Sequence, residues 1–237
     1  MFADTAEFDA GIRLLVPHYE DMLAAIAHAL PTEAQSILEL GSGTGALSRK
    51  VLDRCPQAQL IAVDYSPRMI GFAQAKLNTQ GYGDRITWVT ADFGDWAMGK
   101  VPLPQTQFDA CVSSLAIHHL NHGLKLQLFQ HIYQSLTPGG SFWNADPIVA
   151  ESPEMAAVYQ SVADAWTRAQ GSTREQVQAK LSTGTNHGHS SHDHLATLAL
   201  HLDLLQQAGF ASVEVPWKYY GMAVLGGWKK ETHYSSS

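Results

Sequence analysis

Three groups of residues in this chain have the types and spacing to do chemistry. The first is the stretch "ILELGSGTGALSRKVL" (37–52). There an apolar run ends in Glu39, and Gly41, Gly43 and Gly45 then alternate with Ser42 and Thr44. Glycine permits positive φ and carries no side chain, so a ligand can touch the backbone. A helix starting behind such a loop favours a negatively charged group at its N-terminus. The second group is acidic: Asp64 in "VDYS" and Asp92 in "TADFGDW", each at the close of an apolar run. The third is histidine. His118 and His119 lie in "SSLAIHHL", and His187, His189, His192 and His194 lie in and just beyond "STGTNHGHSSHD". Imidazole titrates near neutral pH and is suited to taking a proton from an oxygen or nitrogen.

The elements that must position these groups follow from periodicity. Segments 36–40, 59–63, 86–90, 108–113 and 140–145 are short apolar runs that read as strands. Helices are expected at 45–54, 66–79 and 123–136, the last carrying Leu124, Leu128, Ile132 and Leu136 on one face before "TPGG". Segment 18–30 is a further amphipathic helix, closed by Pro31. Strands alternating with helices imply right-handed crossovers and a parallel sheet buried on both faces. After residue 150 the rhythm changes. Residues 151–181 read as one or two helices with a stripe of Met155, Val158, Tyr159 and Val162, and 182–193 as a mobile loop of low complexity. A helix is expected over 194–208, with Asp193 as its cap and Leu195, Leu198, Leu202 and Leu205 on one side. Segments 211–216 and 220–225 read as an antiparallel strand pair around "WKYYG".

In open α/β sheets ligands bind beyond the carboxyl ends of the strands, where strand order reverses. The glycine loop and both acids fall at such ends. Asp64 is placed to accept from both ribose hydroxyls of an adenosine, and Asp92 from an adenine amino group. A dinucleotide and S-adenosylmethionine both satisfy the glycine loop, since Gly41, Gly43 and Ala46 also fit the degenerate dinucleotide fingerprint. The third station at Asp92 and the lack of a convincing nicotinamide site favour S-adenosylmethionine. Taken in order, "LELGSGTG", "AVDYSPRMI", "TADFGDW", "FDACVSSLAIHHL" and "LTPGGSFWNAD" resemble the motifs of class I S-adenosylmethionine-dependent methyltransferases.

That resemblance implies an α/β fold. It would be a doubly wound, mostly parallel, seven-stranded Rossmann-like sheet with its last strand antiparallel and a helical cap. As a single domain over 1–237, it would comprise lid helices at 1–31, a cofactor-binding core at 32–146, a helical cap with a mobile loop at 147–193, and a C-terminal helix with terminal strands at 194–229. The glycine loop would let the methionine moiety of the cofactor pass Gly41, Ser42, Gly43 and Gly45, with Glu39 facing its ammonium. Asp64 would take the ribose hydroxyls, Tyr65 and Met69 would flank the adenine, and Asp92 with the Phe93 backbone would read its edge. Ser114 and Leu115 would form the floor near the sulfonium. Tyr19, with Arg13 second, is similar in position to lid residues that reach the cofactor carboxylate. His118 and His119 would stand beside the acceptor, and His194 would project over the mouth of the site from its helix start.

Plainer roles compete for several of these positions. Asp92 also suits a helix cap, and Met69 sits at helical spacing with Phe72 as core would. The histidines of 187–194 lie in a Gly/Ser-rich setting without cysteine, so an unliganded loop is expected there and no metal. The expected reaction is in-line transfer of a methyl group to an oxygen, nitrogen or sulfur nucleophile of a small molecule. Alternatives are modification of a tRNA wobble uridine with the cofactor or a carboxylated derivative, a non-catalytic cofactor-binding module, and a nicotinamide oxidoreductase. A net charge of −7 over 237 residues disfavours a nucleic-acid partner. No apolar run approaches the ~20 residues that span a bilayer. Cys55 and Cys111 read as buried free thiols, and "MFADTAEFDA" lacks a secretion-signal pattern, so a cytoplasmic setting is expected.

Overall fold

The computed structural model describes residues 5–181 and 192–231. Its centre is a mixed sheet whose seven long strands are β1 (Ser36–Leu40), β2 (Gln59–Asp64), β3 (Ile86–Thr90), β4 (Phe108–Ser114), β5 (Leu136–Val149), β7 (Ser212–Tyr219) and β8 (Met222–Trp228). They lie in the order β3-β2-β1-β4-β5-β8-β7, and a two-residue strand β6 (Ala196–Thr197) adds to the end of β5. The first five pair in parallel, whereas β8 runs antiparallel to both β5 and β7. The expected α/β class therefore stands, terminal hairpin included. Strand order reverses between β1 and β4, which opens the crevice at their carboxyl ends.

The helices are α1 (Thr5–Leu15), α2 (Tyr19–His28), α3 (Ala46–Arg54), α4 (Pro67–Thr79), α5 (Phe93–Ala97), α6 (His122–Ser135), α7 (Pro153–Ala169), α8 (Arg174–Leu181) and α9 (Leu198–Ala208). Local chemistry explains where they begin. Ser66 caps α4 through Met69 N with Pro67 behind it, Asn121 caps α6 through Leu124 N, and Ser152 caps α7 ahead of Pro153. One apolar cluster fills each face of the sheet. Met22, Leu23, Ile26, Val51 and Trp143 belong to one; Leu124, Leu128, Phe129, Phe142 and Leu205 belong to the other. Cys55 and Cys111 are both free and buried.

The segment after 193 differs from expectation. Asp193 caps no helix: residues 193–195 are irregular, Ala196 and Thr197 pair with β5, and α9 starts at Leu198 with Thr197 as its cap, accepting from Leu200 N at 3.2 Å. The ladder to Ile148 and Val149 keeps the chain extended, and this outweighs the capping preference of Asp193. Leu195 is consequently exposed outside the helix. The buried side of α9 is His201, Leu204, Leu205 and Ala208. At β5 the difference is one of length. The strand begins at Leu136, the last residue of the expected helix, and runs through the expected "TPGG" stop, with a register shift opposite Phe108–Ala110 absorbing the glycines. The loop expected over 182–193 lies mostly outside the described residues, as do His187 and His189.

Candidate functional site

At the crest of the sheet the chain turns sharply from β1 into α3. Gly41 N and Ser42 N both donate to Val63 O of β2, at 2.8 and 3.0 Å. Asp64, buried at the end of β2, ties this loop to the next: one carboxylate oxygen accepts from Gly43 N at 2.7 Å and the other from Ser66 N at 2.8 Å. Burial pushes the Asp64 carboxyl above its ordinary value, opposed by those two N–H donors. Glu39 is fully buried one residue before β1 ends. Desolvation lifts its carboxyl to about 8 despite a hydrogen bond from Ser48 Oγ at 2.5 Å.

These residues surround a cavity of about 260 Å³. Gly43 lies on its wall at φ +53°, and a Cβ there would meet no protein atom within 4 Å. The left-handed backbone itself favours a glycine here, and the open space beside it leaves the backbone accessible to a ligand. Gly41 is bare for another reason: its Cβ would fall 2.3 Å from Ala116 Cβ. Ser42 Oγ and Ser114 Oγ are buried on the same wall without a hydrogen-bond partner. Buried hydroxyls are rarely left unpaired, so both call for a partner from outside the protein, a water or a polar ligand group. Leu115 also lines the cavity and adopts φ +55°, in the left-handed region that non-glycine residues seldom occupy. The roof is α1, through Phe8 and Ile12. It is held down by Asp9, which accepts from Thr44 Oγ1 and pairs with Lys76 Nζ at 2.9 Å.

A second cavity of about 560 Å³ adjoins the first, sharing Phe8, Ile12, Leu115 and His119 with it. Its remaining wall is mainly apolar and aromatic, including Ile148, Val162, Tyr159, Tyr219 and Tyr220. Helix α7 closes it and is fastened to the end of α1, because Trp166 Nε1 donates to Arg13 O and Thr167 Oγ1 donates to Leu14 O. The polar end of this cavity is a cluster. His118 Nδ1 lies 2.8 Å from Asp146 Oδ1, His119 Nδ1 lies 2.9 Å from Asp193 Oδ1, and the two imidazole rings are 4.2 Å apart. Asp146 is fully buried at the carboxyl end of β5, where Asn144 Nδ2 donates to its other oxygen at 2.9 Å. Burial alone would lower His118, but the charge and hydrogen bond of Asp146 hold it above its ordinary value. His119 is lowered, by burial first and then by the neighbouring His118.

Most of the residues selected from sequence meet in the first cavity. Tyr19, Glu39, Gly41, Ser42, Gly43, Asp64, Tyr65, Met69, Phe93, Ser114, Leu115 and His119 all line it, and burial keeps the Tyr19 phenol protonated. Arg13 faces a separate polar pocket, pairs with Glu20 at 2.8 Å, and stands 5.3 Å over the Tyr19 ring. Gly45 faces that pocket too, and a Cβ on it would press on Leu77. Asp92 caps α5, accepting from Gly94 N at 2.7 Å. His118 lines only the second cavity. His194 sits in the irregular segment before β6, not at a helix start, and it meets the cluster through its backbone: its N–H donates to His118 O at 2.7 Å, and its carbonyl accepts from buried Lys125 Nζ. Asp146 was not singled out from sequence, although a carboxylate closing an apolar strand is the signal that marked Asp64. Nothing in sequence spacing connects Asp193 to His119.

Residues 37–140 match the family model described as a methyltransferase domain. The chain is 28% identical over 222 residues to a carboxy-S-adenosyl-L-methionine synthase from Hydrogenovibrio crunogenus, covering 92% of this chain and 84% of the relative. It is 33% identical over 113 residues to the biotin biosynthesis bifunctional protein BioHC from Teredinibacter turnerae, covering 46% of this chain but only 19% of that one. Among solved structures, an O-methyltransferase family protein from Burkholderia thailandensis superposes with a TM-score of 0.67 at 15% identity, over 98% of this chain and 62% of the other. At that identity the likeness is one of fold.

Proposed function

We propose that this chain is a class I S-adenosylmethionine-dependent methyltransferase, a reading supported by the methyltransferase-domain match over residues 37–140 and by the fold, and that it methylates an oxygen, nitrogen or sulfur nucleophile of a small molecule held in the second cavity. The observation that carries this reading is the junction of the two cavities at Leu115 and His119. Their shared lining would give donor and acceptor separate but adjoining chambers.

The first cavity suits the cofactor. The open space over Gly43 and the unpartnered Ser42 and Ser114 hydroxyls support a polar ligand pressed against the glycine loop. Glu39 would face the ammonium, Asp64 the ribose hydroxyls, and Tyr65, Met69 and Phe93 the adenine. Asp92, at the start of α5, would reach the purine edge with its carboxylate. Tyr19, as a protonated phenol, would donate to the carboxylate, while Arg13 would act through its position over the Tyr19 ring. Bound there, the cofactor supplies a methyl group already activated by its sulfonium.

The chain's own part is alignment and exclusion of water. Holding two reactants in a near-attack geometry removes a large share of a bimolecular barrier. The strained Leu115 backbone would hold that contact surface, with α1 and α7 as the cover. His118 and His119 would orient the acceptor's polar group, and His194 would support them through its backbone. The aromatic wall supports a flat, mainly apolar acceptor body. No helix among the described residues is long and apolar enough to cross a membrane, and the buried free thiols support a reducing, cytoplasmic setting.

Calorimetry with S-adenosylhomocysteine should give one site per chain. Incubation with S-adenosylmethionine and a panel of hydroxylated and carboxylated aromatic metabolites should give a methylated product by mass spectrometry. Ala163→Phe, which fills the second cavity, should lower turnover without weakening S-adenosylhomocysteine. The absence of any heat with S-adenosylhomocysteine would sink the proposal. The extent of the match to the carboxy-S-adenosyl-L-methionine synthase favours a second reading, in which the cofactor itself is carboxylated. Arg174, on the wall of the second cavity, is a cation suited to a carboxylate donor. The same incubations distinguish the two, because a carboxylated nucleoside then appears instead of S-adenosylhomocysteine.

A further inference from the structure

We propose that His118, His119 and Asp193 form a binding site for a divalent transition-metal ion of the zinc class, set where the two cavities meet. The inference deepens the methyl-transfer reading and rests on it for the ion's purpose, though not for its existence. One ligand atom from each residue lies within 4.8 Å of the others. Zn²⁺ bonds of ~2.0–2.1 Å in a tetrahedral site put neighbouring ligand atoms about 3.3 Å apart. The observed separations straddle that value: 2.9 Å from Asp193 Oδ1 to His119 Nδ1 and 3.8 Å to His118 Nε2. The closer pair is not aligned as a hydrogen bond, so the buried His119 nitrogen has no hydrogen-bond partner across a gap where an ion would join both atoms.

The surroundings are those of a built site. His118 meets the Asp146 carboxylate through Nδ1, which places the proton there and leaves the lone pair on Nε2 facing the cavity. Asp146 is in turn fixed by Asn144, deep in the sheet. This carboxylate–histidine arrangement is the usual support of a metal-bound imidazole, and it would otherwise be a costly thing to bury. Asp193 is exposed, but its backbone is pinned one residue later, where His194 N donates to His118 O and Lys125 Nζ donates to His194 O. Three protein ligands leave a fourth position, and all three residues line the second cavity. An ion there would take an oxygen of the acceptor as its fourth ligand, lower that oxygen's pKa and fix its direction. Two imidazoles with one carboxylate suit zinc or a neighbouring first-row ion, not magnesium, which prefers an all-oxygen shell.

The test uses the full chain stripped with a chelator and titrated with Zn²⁺ alone, by calorimetry and by metal analysis after desalting. One equivalent with micromolar or tighter affinity is expected, with no heat from Mg²⁺. Asp193→Asn should weaken zinc at least tenfold, and Asp146→Asn by on the order of 10–100-fold. The triple variant His187→Gln, His189→Gln, His192→Gln should bind as the parent does. Every variant should keep its affinity for S-adenosylhomocysteine, so failure of the metal site is distinguishable from failure of the methyltransferase reading. Zinc uptake that survives Asp193→Asn but disappears in the triple variant would overturn the proposal, as would no uptake at micromolar zinc.

Discussion

Replacing Gly43 by alanine separates a ligand's demand for glycine from the fold's. The residue sits at φ +53°, so alanine there incurs left-handed backbone strain of about 1–2 kcal/mol. No protein atom lies within 4 Å of the new methyl group, and no packing penalty adds to that strain. For a chain of this length, ~1 kcal/mol corresponds to about 2–4 °C in Tm, so a fall of roughly 2–8 °C is expected with cooperative unfolding retained. Gly43 lines the first cavity, on the face where the cofactor's amino-acid end is proposed to lie, so the added methyl group is expected to intrude on that contact. It should therefore weaken S-adenosylhomocysteine by tenfold or more, equivalent to about 1.4 kcal/mol. Calorimetry reads the affinity and differential scanning fluorimetry the stability. Gly41→Ala is the contrasting control: its Cβ would collide with Ala116 at 2.3 Å, so it should lose far more stability. Unchanged affinity in folded Gly43→Ala would refute placement of the ligand against this loop.

Three further outcomes are expected. Burial raises Glu39 from 4.5 to about 8, so the folded chain holds a proton that the unfolded chain releases, and stability falls as pH climbs through that window. Glu39→Gln should gain Tm relative to the parent from about pH 5 to 8. In the parent, S-adenosylhomocysteine binding near pH 7 should expel a proton as its ammonium ionises Glu39; identical binding heats in phosphate and Tris would rule out that contact. Thr197→Ala should cost about 1 kcal/mol of stability through the lost α9 cap, whereas Asp193→Ala in the presence of chelator should cost nothing measurable; the reverse order would mean that the helix begins earlier than described.

Much of this architecture was already present in the order of the residues. Alternating apolar runs and amphipathic stripes, stopped by Pro and Gly, specify β1 to β4 and α3, α4 and α6 nearly to the residue, because strand and helix periods are short-range properties of a chain. Glu39, the glycine loop and Asp64 were legible for the same reason: they close strands, and strand ends in a parallel sheet converge on one crest. Residues near the crest but committed elsewhere were harder to read. Arg13 and Asp92 have the right chemistry, but Glu20 and the α5 N-terminus already engage them.

Tertiary structure alone decided the second cavity and its polar end. His118 meets Asp146 across 28 positions, and Asp193 reaches His119 only because β6 adds to β5 and holds the chain extended where capping chemistry suggested a helix. The left-handed Leu115, too, is imposed by its surroundings: its N–H is held by Ala145 O at 2.8 Å, on a neighbouring strand. Local pattern records which side of an element faces the core. Which distant side chains share a cavity depends on the crossing of elements, and no local period encodes that.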